Sequence, residues 1–355
     1  MKRTVKIGLI GTGEIGRVHA EAWSRIDGTE LSIAALIQPD AEKRFSEQYG
    51  AKLYPSLETL LADEAVEAVD ICLPNDLHCQ YALKAFEAGK HVFCEKPIAL
   101  SLEEADAMIE ASGRAGRFLM IGHVLRFWPE YVKAKEAIDA GEVGEPLAIS
   151  ARRMVSLLAG TQGDRGWRHD ARRSGGAVLD MQVHDLDTFC WFFDDRPTSV
   201  YSRGLRSPDG ALSHVFTHLE FPRDRQAFVE ASFMMQGNPI DIFFRVLGSR
   251  RSLEYTFSPE TFALHDLDTR RQSGSEASLL LYEWKKAPRA LYTPRSDSFG
   301  VAMRDQLDYF VTCISSGRPP QIGTGAQARQ ALEIALASKL SCETAKPMTW
   351  SPRQA

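Results

Sequence analysis

The sequence predicts an α/β protein of two domains, a doubly wound parallel sheet first and an α+β domain with a mostly antiparallel sheet second. Three observations lead there. Residues 5 to 122 alternate short apolar runs with amphipathic stretches, the pattern of stacked strand-helix-strand units around a buried parallel sheet. After Gly122 the rhythm changes to strand-like runs separated by turns such as Pro208-Asp209-Gly210 and Leu247-Gly248-Ser249, which suit antiparallel pairing. A length of 355 residues, 44% of them hydrophobic, exceeds one ordinary domain. The boundary is placed to give residues 1–123 and 124–355.

The first domain reads in order as strands over Val5 to Ile10, Leu31 to Ile37, Ala68 to Leu73, His91 to Cys94 and Phe118 to Ile121. Between them lie helical patterns over Ile15 to Arg25, Ala41 to Tyr49, Leu57 to Leu61, Leu77 to Ala88 and Leu102 to Ser112. Ser101-Leu102-Glu103-Glu104 fits a capping box, and Gly113 marks the end of that helix. In the second domain a helix over Tyr131 to Asp139 precedes a long strand, Pro146 to Met154, and a Gly- and Arg-rich loop, Gly160 to Gly176, long enough to suspect function. A helix over Ala177 to Phe193 leads into strands over Ser199 to Arg203, His214 to Phe221, Gln226 to Met234, Asp241 to Leu247 and Ser252 to Phe257. Residues 266 to 297 read as polar and irregular, and helices over Gly300 to Ser315 and Ala326 to Ser341 flank Pro319-Pro320.

With 42 Lys+Arg against 47 Asp+Glu the net charge is -5, without like-charge blocks, which argues against nucleic acid or a membrane surface as partner. No apolar run reaches the roughly 18 residues of a membrane span, and the apolar stretch after Met1-Lys2-Arg3-Thr4 is too short for a signal-peptide core. The expected compartment is the cytoplasm. The six cysteines are scattered without a CxxC pair and are expected to be reduced thiols, with no metal bound.

Gly11-Thr12-Gly13-Glu14-Ile15-Gly16 follows the first strand and opens the first helix, the context in which GxGxxG signals a dinucleotide site. Glycine allows the tight turn and the close approach of backbone to a pyrophosphate, and the helix N-terminus offers oriented N–H groups. An ordinary strand-to-helix turn is the competing reading. An acidic residue at the end of the second strand normally accepts the ribose 2'-hydroxyl of NAD; here Gln38-Pro39-Asp40 stands there. Gln38 can bond a hydroxyl without repelling a 2'-phosphate, so the cofactor is NAD or NADP, with a slight preference for NAD.

Further polar clusters fall at successive strand ends: Leu73-Pro74-Asn75-Asp76-Leu77-His78, then Glu95-Lys96-Pro97, then His123-Val124-Leu125-Arg126. In the second domain, Gly175-Gly176 precedes Asp180 and His184, which a four-residue spacing puts on one face of a helix, with Asp187 extending the polar row. A solvated polar face explains that spacing equally well.

Together these residues resemble the Gfo/Idh/MocA oxidoreductase family. Gly11 to Gly16 matches its nucleotide loop, Glu95-Lys96-Pro97 its EKP signature, and Gly175-Gly176 with Asp180 and His184 its GGxxxDxxxH segment. The resemblance implies a Rossmann domain, a second domain with a large open sheet that pairs subunits into homodimers or homotetramers, and NAD(P)-dependent chemistry on sugars, inositols or related polyols. It makes Lys96, Asp180 and His184 the catalytic group. Leu73, Pro74, Asn75, His78, Glu95 and Lys96 join Gly11 to Gly16, Gln38 and Pro39 on the cofactor side. His123, Arg126, Trp167 and Arg168 join Asp180 and His184 on the substrate side, and the site is expected between the two domains. Gln38 departs from the Asp of NAD-using relatives.

Oxidising a secondary alcohol requires a base for the hydroxyl proton beside the nicotinamide. Histidine titrates near neutrality, so His184 is the expected proton acceptor or donor, Asp180 its orienter and Lys96 the electrophilic partner; Lys96 as the general acid is the alternative. A retained nucleotide, as in glucose-fructose oxidoreductase, or transient oxidation that opens a glycosidic bond is a second enzyme reading, and a silent nucleotide-binding sensor a third.

Overall fold

The computed structural model describes residues 4–34, 39–156, 166–208, 210–235, 240–257, 278–293 and 297–350. The chain forms two compact units, Met1–Phe127 with Phe299–Arg329, and Trp128–Ser298 with Gln330–Ala355.

The first unit runs β1 (Val5–Ile10), α1 (Glu14–Trp23), β2 (Thr29–Ala34), α2 (Pro39–Tyr49), β3 (Lys52–Tyr54), α3 (Leu57–Ala62), β4 (Val66–Ile71), α4 (His78–Glu87), β5 (His91–Glu95), α5 (Leu102–Ala115) and β6 (Leu119–Gly122). Its six strands are all parallel, in the order β3-β2-β1-β4-β5-β6. Helices cover such a sheet on both faces, so Val5, Ile7, Leu9 and Ile10 of β1 and Ala68, Val69 and Ile71 of β4 are all buried. The strand order reverses between β1 and β4, and there the carboxyl ends of neighbouring strands open a crevice.

Three details of this unit differ from the sequence reading. The second strand is Thr29–Ala34; the expected extension to Ile37 falls among residues 35–38, outside the described residues, as does Gln38. β3 was not anticipated, because three residues are too few to show a period. α5 continues past Gly113 to Ala115 and ends on Gly116 with φ +60. Its cap is half the expected box: Ser101 Oγ accepts from the Glu104 amide at 3.2 Å, while the Glu104 carboxylate accepts from Leu100.

The second unit holds α6 (Pro129–Asp139), β7 (Pro146–Val155), α7 (Ala171–Ser174), a π-helical turn (Val178–Gln182) running into α8 (Val183–Phe193), β8 (Ser199–Arg206), β9 (Leu212–Phe221), β10 (Arg225–Ser232), β11 (Ile240–Gly248), β12 (Ser252–Phe257), β13 (Ser278–Tyr282) and β14 (Arg289–Tyr292). Helices α9 (Ser298–Ser316) and α10 (Gly325–Thr344) and the short β15 (Met348–Thr349) complete the chain. The sheet is nine-stranded, β14-β13-β12-β11-β7-β10-β9-β8-β15, antiparallel except between β7 and β10. Alternation along β8 to β11 buries Val200, Val215, Leu219, Val229 and Phe244, and exposes Tyr201, Phe216 and Phe228 on the opposite face. Tyr131, Phe192, Phe244 and Tyr255 pack ring against ring in the core.

The stretch expected to be irregular over 266 to 297 carries β13 and β14, whose pairing supplies the order their composition did not announce. The expected loop over Gly160 to Gly176 contains, from Gly166 onward, a 3-10 turn at Trp167–His169 and the short α7; residues 157–165 lie outside the described residues. α9 packs into the first unit through Phe310, whose ring meets Phe93 edge to face. The start of α10 is tied to the same unit by the Arg329 to Asp106 ion pair.

Candidate active site

The glycine turn sits between the end of β1 and the start of α1, and its three glycines have different reasons to be glycine. Gly11 has φ +105, and a Cβ there would strike the Cys72 backbone. A Cβ on Gly16 would strike the Gly11 carbonyl, so this residue lets α1 pack against the turn. Gly13 is the exception: a Cβ there meets nothing within 4 Å. Its backbone faces open space at the N-terminus of α1, where no side chain caps the first amides. A closed floor, an open middle glycine and uncapped helix amides fit a dinucleotide pyrophosphate.

The next two strand ends contribute Leu73, Pro74 and Asn75 before α4, and Glu95-Lys96-Pro97 after β5, the Lys96-Pro97 bond being cis. His78 is fully buried, with Nδ1 2.7 Å from the Pro97 carbonyl and Nε2 3.0 Å from that of Leu73. Burial pushes its pKa down against the pull of these two carbonyls. One ring nitrogen faces each of the two loops, so His78 packs between them. Glu95 is buried, and its Oε2 accepts from the Lys96 amide at 3.3 Å. Gly122 of β6 makes room for this carboxylate, since a Cβ there would lie 2.6 Å from Glu95 Oε1. His123 is buried at the end of β6, and Arg126 is half-buried in the 3-10 turn Val124–Arg126.

Beneath these loops lies a polar network that the sequence reading missed. His19 of α1 places Nδ1 2.8 Å from Asp70 Oδ2, and Trp23 Nε1 donates to the same oxygen at 2.7 Å. The Cys72 thiol donates to Asp70 Oδ1 at 3.5 Å. On its other side His19 Nε2 lies 3.2 Å from Glu95 Oε1, an ion-pair contact rather than an aligned hydrogen bond. Burial opposes charge on His19, but Asp70 and Cys72 together raise the imidazole well above its ordinary pKa. Burial also pushes the Cys72 thiol far up. His19, Asp70 and Cys72 bring ligand-type atoms within 4.8 Å of one another. One signal in the sequence pointed here: Asp70 is a carboxylate inside an apolar strand, which requires a buried partner.

On the second unit, Gly175 and Gly176 have φ +79 and +75, and a Cβ on Gly176 would come 2.9 Å from the Leu212 carbonyl oxygen. They turn the chain from α7 into the π-helical segment that carries Asp180. The expectation of a regular helix through Asp180 and His184 is therefore corrected: Asp180 belongs to a turn wound wider than an α-helix, and His184 to the first turn of α8. Nor is the row a solvated face, since Asp180 and Asp187 are buried and His184 half-buried. Asp180 Oδ2 lies 3.4 Å from Arg168 Nε, and the Arg168 guanidinium lies over the Trp167 ring. Arg172, by contrast, is exposed and pairs with Asp170. Gln182, inside the π turn, accepts from Thr217 of β9 and Ser338 of α10 at 3.0 and 3.1 Å, anchoring the turn to both. The structure thus gathers the candidate residues into two groups, one on each unit.

Residues 5–123 match the family described as the oxidoreductase family with an NAD-binding Rossmann fold, GFO_IDH_MocA. Residues 131–254 match the GFO/IDH/MocA C-terminal domain. The chain is 29% identical over 349 residues to the myo-inositol 2-dehydrogenase of Thermotoga maritima, 96% of each chain being covered. It is 31% identical over 237 residues to an uncharacterized oxidoreductase of Streptococcus pneumoniae, covering 64% of this chain and 62% of that protein. The crystal structure of a probable dehydrogenase from Thermotoga maritima superposes with a TM-score of 0.79 at 26% identity, over 97% of this chain and 98% of that one.

Proposed function

The chain belongs to the Gfo/Idh/MocA oxidoreductase family, and from that premise we propose that it is a cytoplasmic NAD(P)-dependent dehydrogenase or reductase that interconverts a secondary alcohol and a ketone on a sugar, inositol or related polyol. The observation that carries the reading is the glycine turn, closed at Gly11 and Gly16 and open at Gly13, at the strand crossover of a parallel sheet. The full-length match to a protein named myo-inositol 2-dehydrogenase supports the substrate class. Among the described residues no helix is long and apolar enough to cross a membrane.

When bound, NAD(P) supplies the acceptor or donor of hydride. The chain's own residues hold it and move the proton. The amides at Gly13 and the start of α1 would hold the pyrophosphate, Leu73, Pro74 and Asn75 would hold the nicotinamide side, Gln38 and Pro39 would complete the cofactor side, and NAD would be the preferred form. The Lys96 ammonium donates to the substrate oxygen and stabilises its developing negative charge. His184 takes the hydroxyl proton in oxidation and returns it in reduction, with Asp180 orienting the imidazole. Arg168, stacked on Trp167 and reaching Asp180, together with His123 and Arg126 shapes the substrate side. Titration with NADH and NADPH, followed by a polyol and sugar panel with the tighter cofactor, tests the reading. Binding of neither nucleotide overturns it.

Two copies of the chain pair through the open face of the nine-stranded sheet. That face carries Tyr201, Phe216 and Phe228 exposed, the last two stacked at 6.2 Å, more apolar area than isolated surface residues present.

A further inference from the structure

His19 is absorbed by none of the roles above, yet it is fully buried and touches two carboxylates from two strands. We propose that His19 is a positioning residue: held as an imidazolium between Asp70 and Glu95, it keeps the Glu95 carboxylate turned into the sheet and so fixes the backbone from which Lys96 is presented. The proposal rests on the role assigned above to Lys96.

The geometry supports each step. Asp70 is committed to His19 by two further donors, Trp23 Nε1 and the Cys72 thiol, so it has no freedom to turn away. Glu95 Oε1 faces His19 Nε2 in the space that Gly122 leaves, and Glu95 Oε2 accepts from the Lys96 amide. The ionisable groups around His19 are Asp70 from β4, Cys72 just after it and Glu95 from β5, with Lys96 beyond Glu95. Burial keeps Cys72 a thiol, so two carboxylates share one cation. Without that cation they would repel each other in a medium that solvates neither, and Glu95 would be driven from its place. His19 also lies on the helix whose N-terminus ends the glycine turn. One side chain therefore links the nucleotide-binding helix to the strand end bearing Lys96.

The test uses the full chain with His19→Gln, which keeps a hydrogen-bonding side chain and removes the charge. With a substrate found by the panel, kcat is expected to fall by about 10- to 100-fold, the scale of a displaced reacting group, while the Kd for NADH stays within about threefold. The alkaline limb of the kcat profile, where the wild type loses the imidazolium, is expected to vanish from the variant. One measurement needs no turnover: the His19 imidazole, followed by nitrogen NMR, is expected to be doubly protonated at neutral pH. A neutral wild-type imidazole overturns the proposal, as does a variant with reduced thermal stability but unchanged kcat and pH profile. If no substrate is found, the reading of the active site fails by itself, and nitrogen NMR still decides the charge state of His19.

Discussion

Replacing Gly13 with alanine separates the two reasons for glycine in the turn. The new methyl meets no protein atom within 4 Å, and the backbone there, φ -69 and ψ -164, is open to any L-residue. Alanine is a poorer N-cap than glycine, but it also lowers the entropy of the unfolded chain; the two effects are each below about 1 kcal/mol and opposed. Folding stability is therefore expected to stay within about 1 kcal/mol. Binding is a different matter, because the methyl occupies the space through which the pyrophosphate reaches the amides. Loss of one hydrogen bond to a charged oxygen costs about 1.5–3 kcal/mol, or about 10- to 150-fold in Kd. Gly16→Ala is the companion: its methyl is driven into the Gly11 carbonyl group, 2.9 Å from the carbon, and packed backbone has to move. That variant is expected to lose about 1–3 kcal/mol of stability. Fluorescence titration with NADH and NADPH, beside thermal unfolding, reads both. If Gly13→Ala binds both nucleotides as tightly as the wild type, the nucleotide does not cross Gly13 and the placement of the cofactor is wrong.

Other consequences are as direct. Lys96→Ala is expected to bind NADH normally and to lose at least about 100-fold in kcat with the true substrate; near-normal turnover removes Lys96 from the chemistry. In His184→Ala a limb of the pH profile of kcat is expected to disappear, and an unchanged profile moves the proton to Lys96. The His19 imidazole titrates above its unfolded value of about 6.5, so the stability it contributes is complete below that pH and is lost as pH rises through the folded value. The stability gap between wild type and His19→Gln should shrink over that window, and a constant gap across it argues against a charged His19. Asp185→Ala strands the buried Arg153 guanidinium, which now makes two bonds to that carboxylate and one to Tyr131; a loss of about 3–5 kcal/mol is expected in thermal or urea unfolding. Phe216→Asp with Phe228→Asp is expected to elute as a monomer where light scattering finds the wild type dimeric or larger, and a monomeric wild type refutes the paired sheet.

The parallel sheet was legible because its strands, buried on both faces, read as largely apolar runs, as at Val5–Ile10, where Lys6 is the one charged residue. β3 and β15 were not, since two or three residues show no period and become strands only by pairing with β2 and β8. β13 and β14 escaped for a related reason. Their order comes from the pairing of β13 with β12 and of β14 with β13, partners in the folded sheet that a local window does not contain.

The candidate site divides along the same line. Gly11 to Gly16, Glu95-Lys96-Pro97 and the Gly175-Gly176 segment were legible because their chemistry is contiguous in sequence. The groups that hold them in place are not: His19 and Asp70 are 51 residues apart, and Gln182 and Ser338 are 156. The π turn belongs with these. Spacing alone put Asp180 and His184 one α-helical turn apart, whereas the bonds from Thr217 and Ser338 to Gln182 anchor the wider turn that carries Asp180. A short motif thus points to candidate side chains. Their direction is set by buried polar partners that the chain supplies from a distance, and substitution of those partners should alter pH dependence and rate before it alters what is bound.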